Sequence, residues 1–299
     1  MYSIKLLSKN IYKPYRITKM KNATIIDSSE GKFVLKKENK DLYTLFNYLN
    51  KRGFDNFPKL IKNFRDEENL FEYVEEEQIF EEQKLLEMSS VVASLHNKTV
   101  YFKKTKLDDY KEIYENIDNN LTYLSTYYNA LFLKNLSYEY QSPDKYLFCR
   151  NYSKYINSIK FCKDKLDSWY EKVKDKDKVR VSVIHNNLAM EHFLYALRNS
   201  SLISWDNYKI DTPVLDFITL FHNEYLNIDF SAYLEHYFNA FELNDDEKDL
   251  LFILLNIPIN LQKNDNIQKN TINVHNNILY LLKAEKLTKE YYSNNSDNE

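Results

Sequence analysis

The sequence predicts an α+β protein with two lobes, a small antiparallel β-sheet with one helix and then a larger, mostly helical lobe. Three observations predict this class. Segments 15–19, 23–27 and 32–37 alternate polar and apolar residues, as β-strands do. From residue 85 onward most segments carry apolar residues at spacings of three and four, the pattern of amphipathic helices. The acidic run at 75–77 lies between the two regions.

The elements of the first lobe, residues 1–76, follow in order. Residues 27–31, Asp-Ser-Ser-Glu-Gly, supply turn chemistry between the second and third strands. Apolar residues at 42, 45, 46 and 49 predict a helix over 39–52, which Gly53 ends. Residues 56–58 then break the chain, and two further short strands are expected around 60–61 and 70–74.

The second lobe, residues 77–292, is predicted to be mostly helical. Leu85, Met88, Val92 and Leu95 lie on one helix face. Further helices are expected at about 107–128, 144–174, 214–226, 230–241, 246–256 and 275–292. Residues 293–299 are polar and predict a disordered tail.

Composition excludes several classes of function. The chain has 299 residues with 41 basic and 44 acidic side chains, so no net field favours nucleic acid or an anionic membrane. We find no signal peptide and no run of about 20 apolar residues, so we expect a cytoplasmic protein without membrane insertion. Cys149 and Cys162 lack metal-ligand or C-x-x-C spacing, which predicts reduced thiols.

The segment 183–217 carries the residues that bear on function. It reads Val-Ile-His-Asn-Asn-Leu-Ala-Met-Glu-His-Phe from 183, Leu-Ile-Ser-Trp-Asp from 202, and Asp-Thr-Pro-Val-Leu-Asp-Phe from 211. A phosphotransferase catalytic loop has His-x-Asp-x-x-x-x-Asn, followed by a metal-binding Asp on a strand. The frame is present, but Asn187, His192 and Ser204 stand at these three positions.

This frame resembles the aminoglycoside phosphotransferase superfamily, whose fold is protein-kinase-like. Residues 205–217 are similar to the spore-coat-associated kinase-like proteins of endospore-forming bacteria. The resemblance implies that Lys36 is the strand lysine that contacts nucleotide phosphates, and that His185, Asp211 and Asp216 are structural. It also implies a bacterial protein of the cytoplasm or the spore coat, with coat components as partners.

The three substitutions weaken the expected chemistry. The amide of Asn187 cannot remove a proton, and a missing general base lowers a rate by about 10²- to 10⁴-fold. His192 suits zinc better than magnesium, and Ser204 lacks the charge of a carboxylate. We therefore predict no metal site and no confident catalytic residue. Asp206 is the one candidate for rescue, although on a continuing strand it would lie roughly 7 Å beyond Ser204.

Phosphate binding also lacks its usual supports. The turn at 19–22, Lys-Met-Lys-Asn, contains no glycine, so a backbone cradle for a triphosphate is not expected, although its lysines could attract an anion. Because strand residues alternate, only one of Lys36 and Lys37 is expected to reach the site; the alternative is that both are ordinary surface charges. The helix over 39–52 contains no Glu, and Asp41 is its only acid, so the usual lysine–glutamate pair is not expected.

The sequence therefore favours a catalytically impaired or inactive phosphotransferase-like protein, a pseudokinase, acting as a binding or scaffold protein. No cofactor is expected, and weak binding of Mg-ATP is left open. The alternative is an active ATP-dependent small-molecule phosphotransferase of the aminoglycoside or choline kinase type, with Asp206 or Glu191 as altered metal ligands. A further alternative is an all-helical interaction protein without an amino-terminal sheet.

Overall fold

The computed structural model describes residues 14–21, 23–37, 40–64, 68–262 and 264–296. The chain forms two compact units. Unit 1 comprises Met1–Val100 and Ser182–Ile210, and unit 2 comprises Tyr101–Val181 and Asp211–Glu299. Both units are discontinuous in sequence, and the predicted lobe boundary after residue 76 stays a prediction.

Unit 1 contains a five-stranded antiparallel sheet in the order β1-β2-β3-β5-β4. Its alternating apolar residues form one buried face, with Ile26, Phe33, Leu35 and Leu70 at the centre. Gly31 starts β3 with a φ of 131°, a conformation that side chains rarely adopt, so the turn before it requires glycine. The strands are β1 Pro14–Lys19, β2 Ala23–Ser28, β3 Gly31–Lys37, β4 Leu60–Phe64 and β5 Glu68–Glu72.

Two helices lie among the described residues of the first part of unit 1. Helix α1, Leu42–Lys51, begins after Asp41, whose side chain accepts a hydrogen bond from Thr44 N. Its buried residues are the four apolar positions that indicated a helix in the sequence, so its amphipathic face packs inward. Helix α2, Glu81–Thr99, buries the predicted face of Leu85, Met88, Val92 and Leu95. Sheet and helices together confirm the predicted α+β class and exclude an all-helical protein.

The second part of unit 1 carries the candidate catalytic segment. It consists of the end of β7 (Lys178–Ile184), β8 (Phe193–Leu194), β9 (Ser201–Leu202) and most of β10 (Lys209–Asp211), with 3₁₀ turns at Met190–His192 and Trp205–Asn207. Strands β8 and β9 pair antiparallel. Trp205 is fully buried and packs edge-on against Phe46 at 6.0 Å and Phe54 at 6.4 Å. Burial of this indole fixes the segment against the end of α1.

Unit 2 is mostly helical. Its strand β6, Tyr101–Lys104, pairs antiparallel with the first four residues of β7. Aromatic side chains fill much of its core, including Tyr128, Tyr155, Trp169 and Phe221. The helices are α3 Leu107–Leu136, α4 Pro143–Val173, α5 Val214–Glu224, α6 Phe230–Ala240, α7 Asp245–Leu255 and α8 Ile267–Ser296.

Helices α3 and α8 are longer than the sequence predicts. In α3 the added turns stack Phe132 on Tyr152 with ring centroids 4.0 Å apart. Helix α8 begins eight residues early because Asn266 Oδ1 accepts from Lys269 N, a cap that a polar stretch conceals. The sequence predicts a disordered tail from residue 293, but α8 continues through residue 296. Residues 297–299 lie outside the described residues.

Both cysteines are free thiols, as predicted. Cys162 is fully buried, and burial raises its pKa, whereas Cys149 is half-buried. Within the described ranges, no helix is long and apolar enough to cross a lipid bilayer.

Candidate functional site

The structure brings the three substituted positions together in unit 1. His192 Nδ1 lies 2.7 Å from Asn187 O, and Asn187 Nδ2 donates to Ser204 O at 3.3 Å. Ile203 N also donates to His192 O at 2.9 Å. Because a carbonyl oxygen can only accept, Nδ1 of His192 carries the hydrogen in this contact. The side chains of Asn187 and His192 therefore serve to fix the backbone of the segment.

His185 lies at the start of this segment, directly after β7. It is fully buried, its Nε2 is 2.8 Å from Ile203 O, and its ring centroid lies 4.8 Å from that of Trp205. These contacts tie the catalytic-loop segment to the segment after β9. They favour the structural role that the sequence indicates for His185.

The predicted metal-binding strand ends before Ser204. Strand β9 stops at Leu202, Ser204 adopts the left-handed conformation with φ 65° and ψ 53°, and residues 205–207 form a 3₁₀ turn. The expectation that Asp206 lies about 7 Å beyond Ser204 along a continuing strand therefore does not hold. The turn instead brings Asp206 Oδ2 to 2.8 Å from Lys36 Nζ.

Lys36 forms an ion pair with Asp206 in unit 1. The side chain of Lys36 is 17% exposed and that of Asp206 is 39% exposed, so the pair is half-buried. Asp41, the only acid of the predicted helix over 39–52, serves as the helix cap. Sequence reasoning missed this partnership because the two residues lie 170 positions apart and no local pattern connects them.

A pocket of about 660 Å³ surrounds this ion pair within unit 1. We call it the Lys36 pocket. Lys37, the last residue of β3, also borders the pocket, and the expectation that only one of the two adjacent lysine side chains reaches the site stays a prediction. The pocket is lined by Met20, Lys21, Ala23, Thr24, Leu35, Lys36, Lys37, Lys40, Glu68, Asp206 and Asn207.

Two further contacts hold the walls of the Lys36 pocket. Lys40 Nζ donates to Tyr208 O at 2.7 Å and lies 4.8 Å from the centre of the Tyr208 ring. In the turn between β1 and β2, Met20 N donates to Ala23 O at 2.8 Å. This amide is committed to the turn and cannot bind phosphate, in agreement with the absence of glycine there. Lys21 borders the pocket, and Asn22 lies outside the described residues.

The side chains of the Lys36 pocket could hold magnesium only together with substrate phosphates. Among the residues that the structure describes, no group of three or more His, Cys, Asp or Glu side chains could hold a metal by itself. Magnesium is commonly held by one or two carboxylates together with substrate phosphates, and Asp206 and Glu68 supply carboxylates in the Lys36 pocket. His192 Nε2 lies 3.7 Å from Glu191, whose side chain is 83% exposed, an arrangement too open for a zinc site.

Asp211 and Asp216 belong to unit 2. Asp211 Oδ1 accepts from Thr212 N at 2.8 Å, next to the start of α5. Asp216 is fully buried in the first turn of that helix. Burial, and then the charge of Asp216, raises the pKa of Tyr233. These positions favour an anchoring role rather than contact with a substrate.

No protein-family model and no curated protein matches the sequence. Several solved structures do share the fold. An aminoglycoside phosphotransferase from Alicyclobacillus acidocaldarius has a TM-score of 0.70 and 11% identity, covering 95% of this chain and 94% of that chain. A spectinomycin phosphotransferase bound to AMP has a TM-score of 0.57 and 12% identity, covering 97% and 93%.

An amicoumacin kinase in complex with AMP-PNP and Ca²⁺ has a TM-score of 0.51 and 14% identity, covering 93% of this chain and 92% of that chain. The chain therefore has the kinase-like fold of the aminoglycoside phosphotransferases, which confirms the predicted fold. The closer likeness to spore-coat proteins stays a prediction.

Proposed function

We propose that this chain binds a nucleoside triphosphate in the Lys36 pocket and transfers its terminal phosphoryl group to a hydroxyl of a small molecule. The ion pair between Lys36 and Asp206, at 2.8 Å in a pocket bordered by three more lysines, carries this proposal. Lysine ammonium groups neutralise phosphate charge, and a carboxylate beside them is a magnesium ligand. The shared fold supports the same reading.

Each residue has a distinct task in this proposal. Lys36, Lys21 and Lys40 would bind the phosphates as donors of charge-assisted hydrogen bonds. Asp206 would hold magnesium, which neutralises charge on the phosphates when bound. Asn187 can orient an acceptor hydroxyl but cannot take its proton. We therefore expect turnover about 10²- to 10⁴-fold below that of an enzyme with a carboxylate at this position.

A second candidate is a binding or scaffold protein without phosphoryl transfer. It is favoured by the side chains of Asn187 and His192, which hydrogen-bond to or contact backbone carbonyls of the segment. In this candidate the similarity of residues 205–217 to spore-coat kinase-like proteins suggests coat components as partners and the forming spore as the location.

Nucleotide binding is tested by thermal stability in the presence of Mg-ATP. A ligand at 100 times its Kd stabilises the folded state by about 2.7 kcal/mol. We expect this stabilisation in the wild type and in Lys51→Met, an exposed lysine of α1 outside the pocket, and its loss in Lys36→Met. Asp206→Asn should abolish the dependence on magnesium. Absence of any stabilisation at millimolar Mg-ATP would contradict the proposal.

Phosphoryl transfer is tested by ATP consumption with a panel of hydroxylated acceptors. Asn187→Asp restores a base at the position of the amide, so we expect a rate increase of about 10²-fold or more over the wild type. Nucleotide binding without turnover in either protein would reject the enzyme and support the second candidate.

A further inference from the structure

A second cavity, of about 550 Å³, lies within unit 2 between helices α4 and α8. It takes no part in the proposed function and is independent of it. Its volume falls within the range of about 300–1,000 Å³ typical of small-molecule sites. Ser153, Asn157 and Phe161 border it from α4, Asn256 lies at the end of α7, and Thr288 and Tyr292 border it from α8.

The deepest polar groups of the cavity have already committed their hydrogens. Asn256 and Thr288 are 4% and 6% exposed. Asn256 Nδ2 donates to Phe252 O at 2.8 Å and to Thr288 Oγ1 at 2.7 Å, which uses both amide hydrogens. Thr288 Oγ1 in turn donates to Ala284 O at 2.8 Å. The amide of Asn256 therefore offers its oxygen, an acceptor, to a ligand.

Two hydroxyl groups in the cavity walls also donate their hydrogens to protein acceptors. Ser158 Oγ donates to Asn256 O at 2.5 Å. Tyr292 OH donates to Asp249 Oδ1 at 3.0 Å, because the carboxylate can only accept. Both hydroxyl oxygens keep lone pairs. A molecule that fills this cavity must therefore donate several hydrogen bonds to neighbouring acceptors.

The charged side chains around the cavity limit the class of molecule that can bind there. Lys289 Nζ is paired with Glu285 Oε1 at 2.6 Å, and Lys154 also borders the cavity. Two lysines against one glutamate give a slight positive charge, which opposes a polyamine, although polyamines are rich in donors. Two lysines, one of them already paired with Glu285, carry too little positive charge to select a polyphosphate. Phe161 and two leucines add apolar surface.

We propose that this cavity binds a neutral polyhydroxylated molecule with the dimensions of one or two sugar rings. Its hydroxyls would donate to Asn256 Oδ1, Ser158 Oγ and Tyr292 Oη, and accept from the amide of Asn157 at the rim. Its C–H faces would pack against Phe161. A sugar ring combines these features, since it carries several hydroxyl donors around an apolar ring face and has no charge.

The test measures binding of D-glucose, maltose and myo-inositol to the full chain by saturation-transfer NMR and calorimetry. Ligands of this size are expected to bind with a Kd on the order of 1 mM. Ser153→Tyr places a large side chain at the rim and should weaken binding about tenfold or more. Ser168→Tyr, the same exchange at an exposed position of α4 outside the cavity, should leave binding unchanged.

Asn157→Ala truncates an exposed side chain and serves if Ser153→Tyr fails to fold; it should weaken binding about threefold or more. Lys36→Met should leave sugar binding intact, because the Lys36 pocket belongs to unit 1. Failure of all three compounds to bind at about 50 mM would overturn the proposal. Equal binding by the Ser153 and Ser168 variants, or displacement of the sugars by spermidine, would overturn it too.

Discussion

Removal of the Lys36–Asp206 ion pair should reveal a coupling energy that can be worked from its burial. Exposed ion pairs contribute about 0.2–1 kcal/mol, and breaking a buried one costs about 3–5 kcal/mol. With side chains 17% and 39% exposed, this pair lies between the two classes. We expect a double-mutant cycle of Lys36→Met and Asp206→Asn to give a coupling of about 1.5 kcal/mol in the free energy of unfolding.

The fluorescence of Trp205 reports the unfolding of unit 1 separately from that of unit 2. The chain has two tryptophans, of which Trp205 is buried in unit 1 and Trp169 in unit 2. A Trp169→Phe background leaves Trp205 as the reporter for urea unfolding. The matched control replaces Lys37 by Met, since Lys37 borders the same pocket and, in the described part of the chain, forms no ion pair with Asp206.

A Lys36 cycle below about 0.3 kcal/mol, the error of such a measurement, would contradict this coupling, as would equal coupling of Lys37 to Asp206. Ionic strength offers a second check. At about 1 M salt the coupling should fall, because partly exposed charges are screened. A coupling that salt leaves unchanged would point to packing rather than charge.

Three further changes have defined outcomes. Ser204→Gly should stabilise unit 1 by about 0.5–1 kcal/mol in urea unfolding, because the left-handed conformation strains serine but not glycine. Glu247→Gln should destabilise unit 2 by about 3 kcal/mol, measured by circular dichroism, because it leaves the nearly buried guanidinium of Arg180 without its carboxylate. Burial, then the charges of neighbouring acids, raises the pKa of Tyr110 to about 12. The neutral phenol is favoured in the folded state, so stability present below pH 10 should be lost as pH rises through 12, by about 2–3 kcal/mol. Other tyrosines of unit 2, among them Tyr128 and Tyr155, also have pKa values raised by burial. Tyr110→Phe should therefore make that slope shallower in the fluorescence of Trp169, whose ring lies 6.1 Å away; an unchanged slope would refute the assignment.

The pattern of apolar residues was sufficient for elements that bury one face. Helix α1 buries the four residues at 42, 45, 46 and 49 whose spacing predicts it, and β2 and β3 alternate as their sequences indicate. The sequence did not predict the first turns of α8, because the turns that begin at residue 267 are mostly polar and lack an apolar period. The cap at Asn266 fixes the start of the helix, and these turns then continue into the apolar part of α8. The pattern of apolar residues shows neither feature.

The candidate site divides in the same way. The frame around His185, Asn187 and His192 could be found from spacing along the chain, because a catalytic loop is one contiguous segment. The position of Asp206 could not. It depends on the end of β9, a left-handed Ser204 and the burial of Trp205, which together turn the carboxylate toward Lys36.

The amino-acid sequence by itself determined the α+β class and the helix and strand order of the first lobe, and it predicts a catalytic frame in which Asn187 and Ser204 replace two expected acids and His192 replaces an expected asparagine. Those features follow from residue type and local periodicity. Only the tertiary structure decided which charges meet in the Lys36 pocket and which hydrogens are already committed in the α4–α8 cavity. Both depend on groups far apart along the chain, and their contacts exist only once the backbone has brought them within hydrogen-bonding distance.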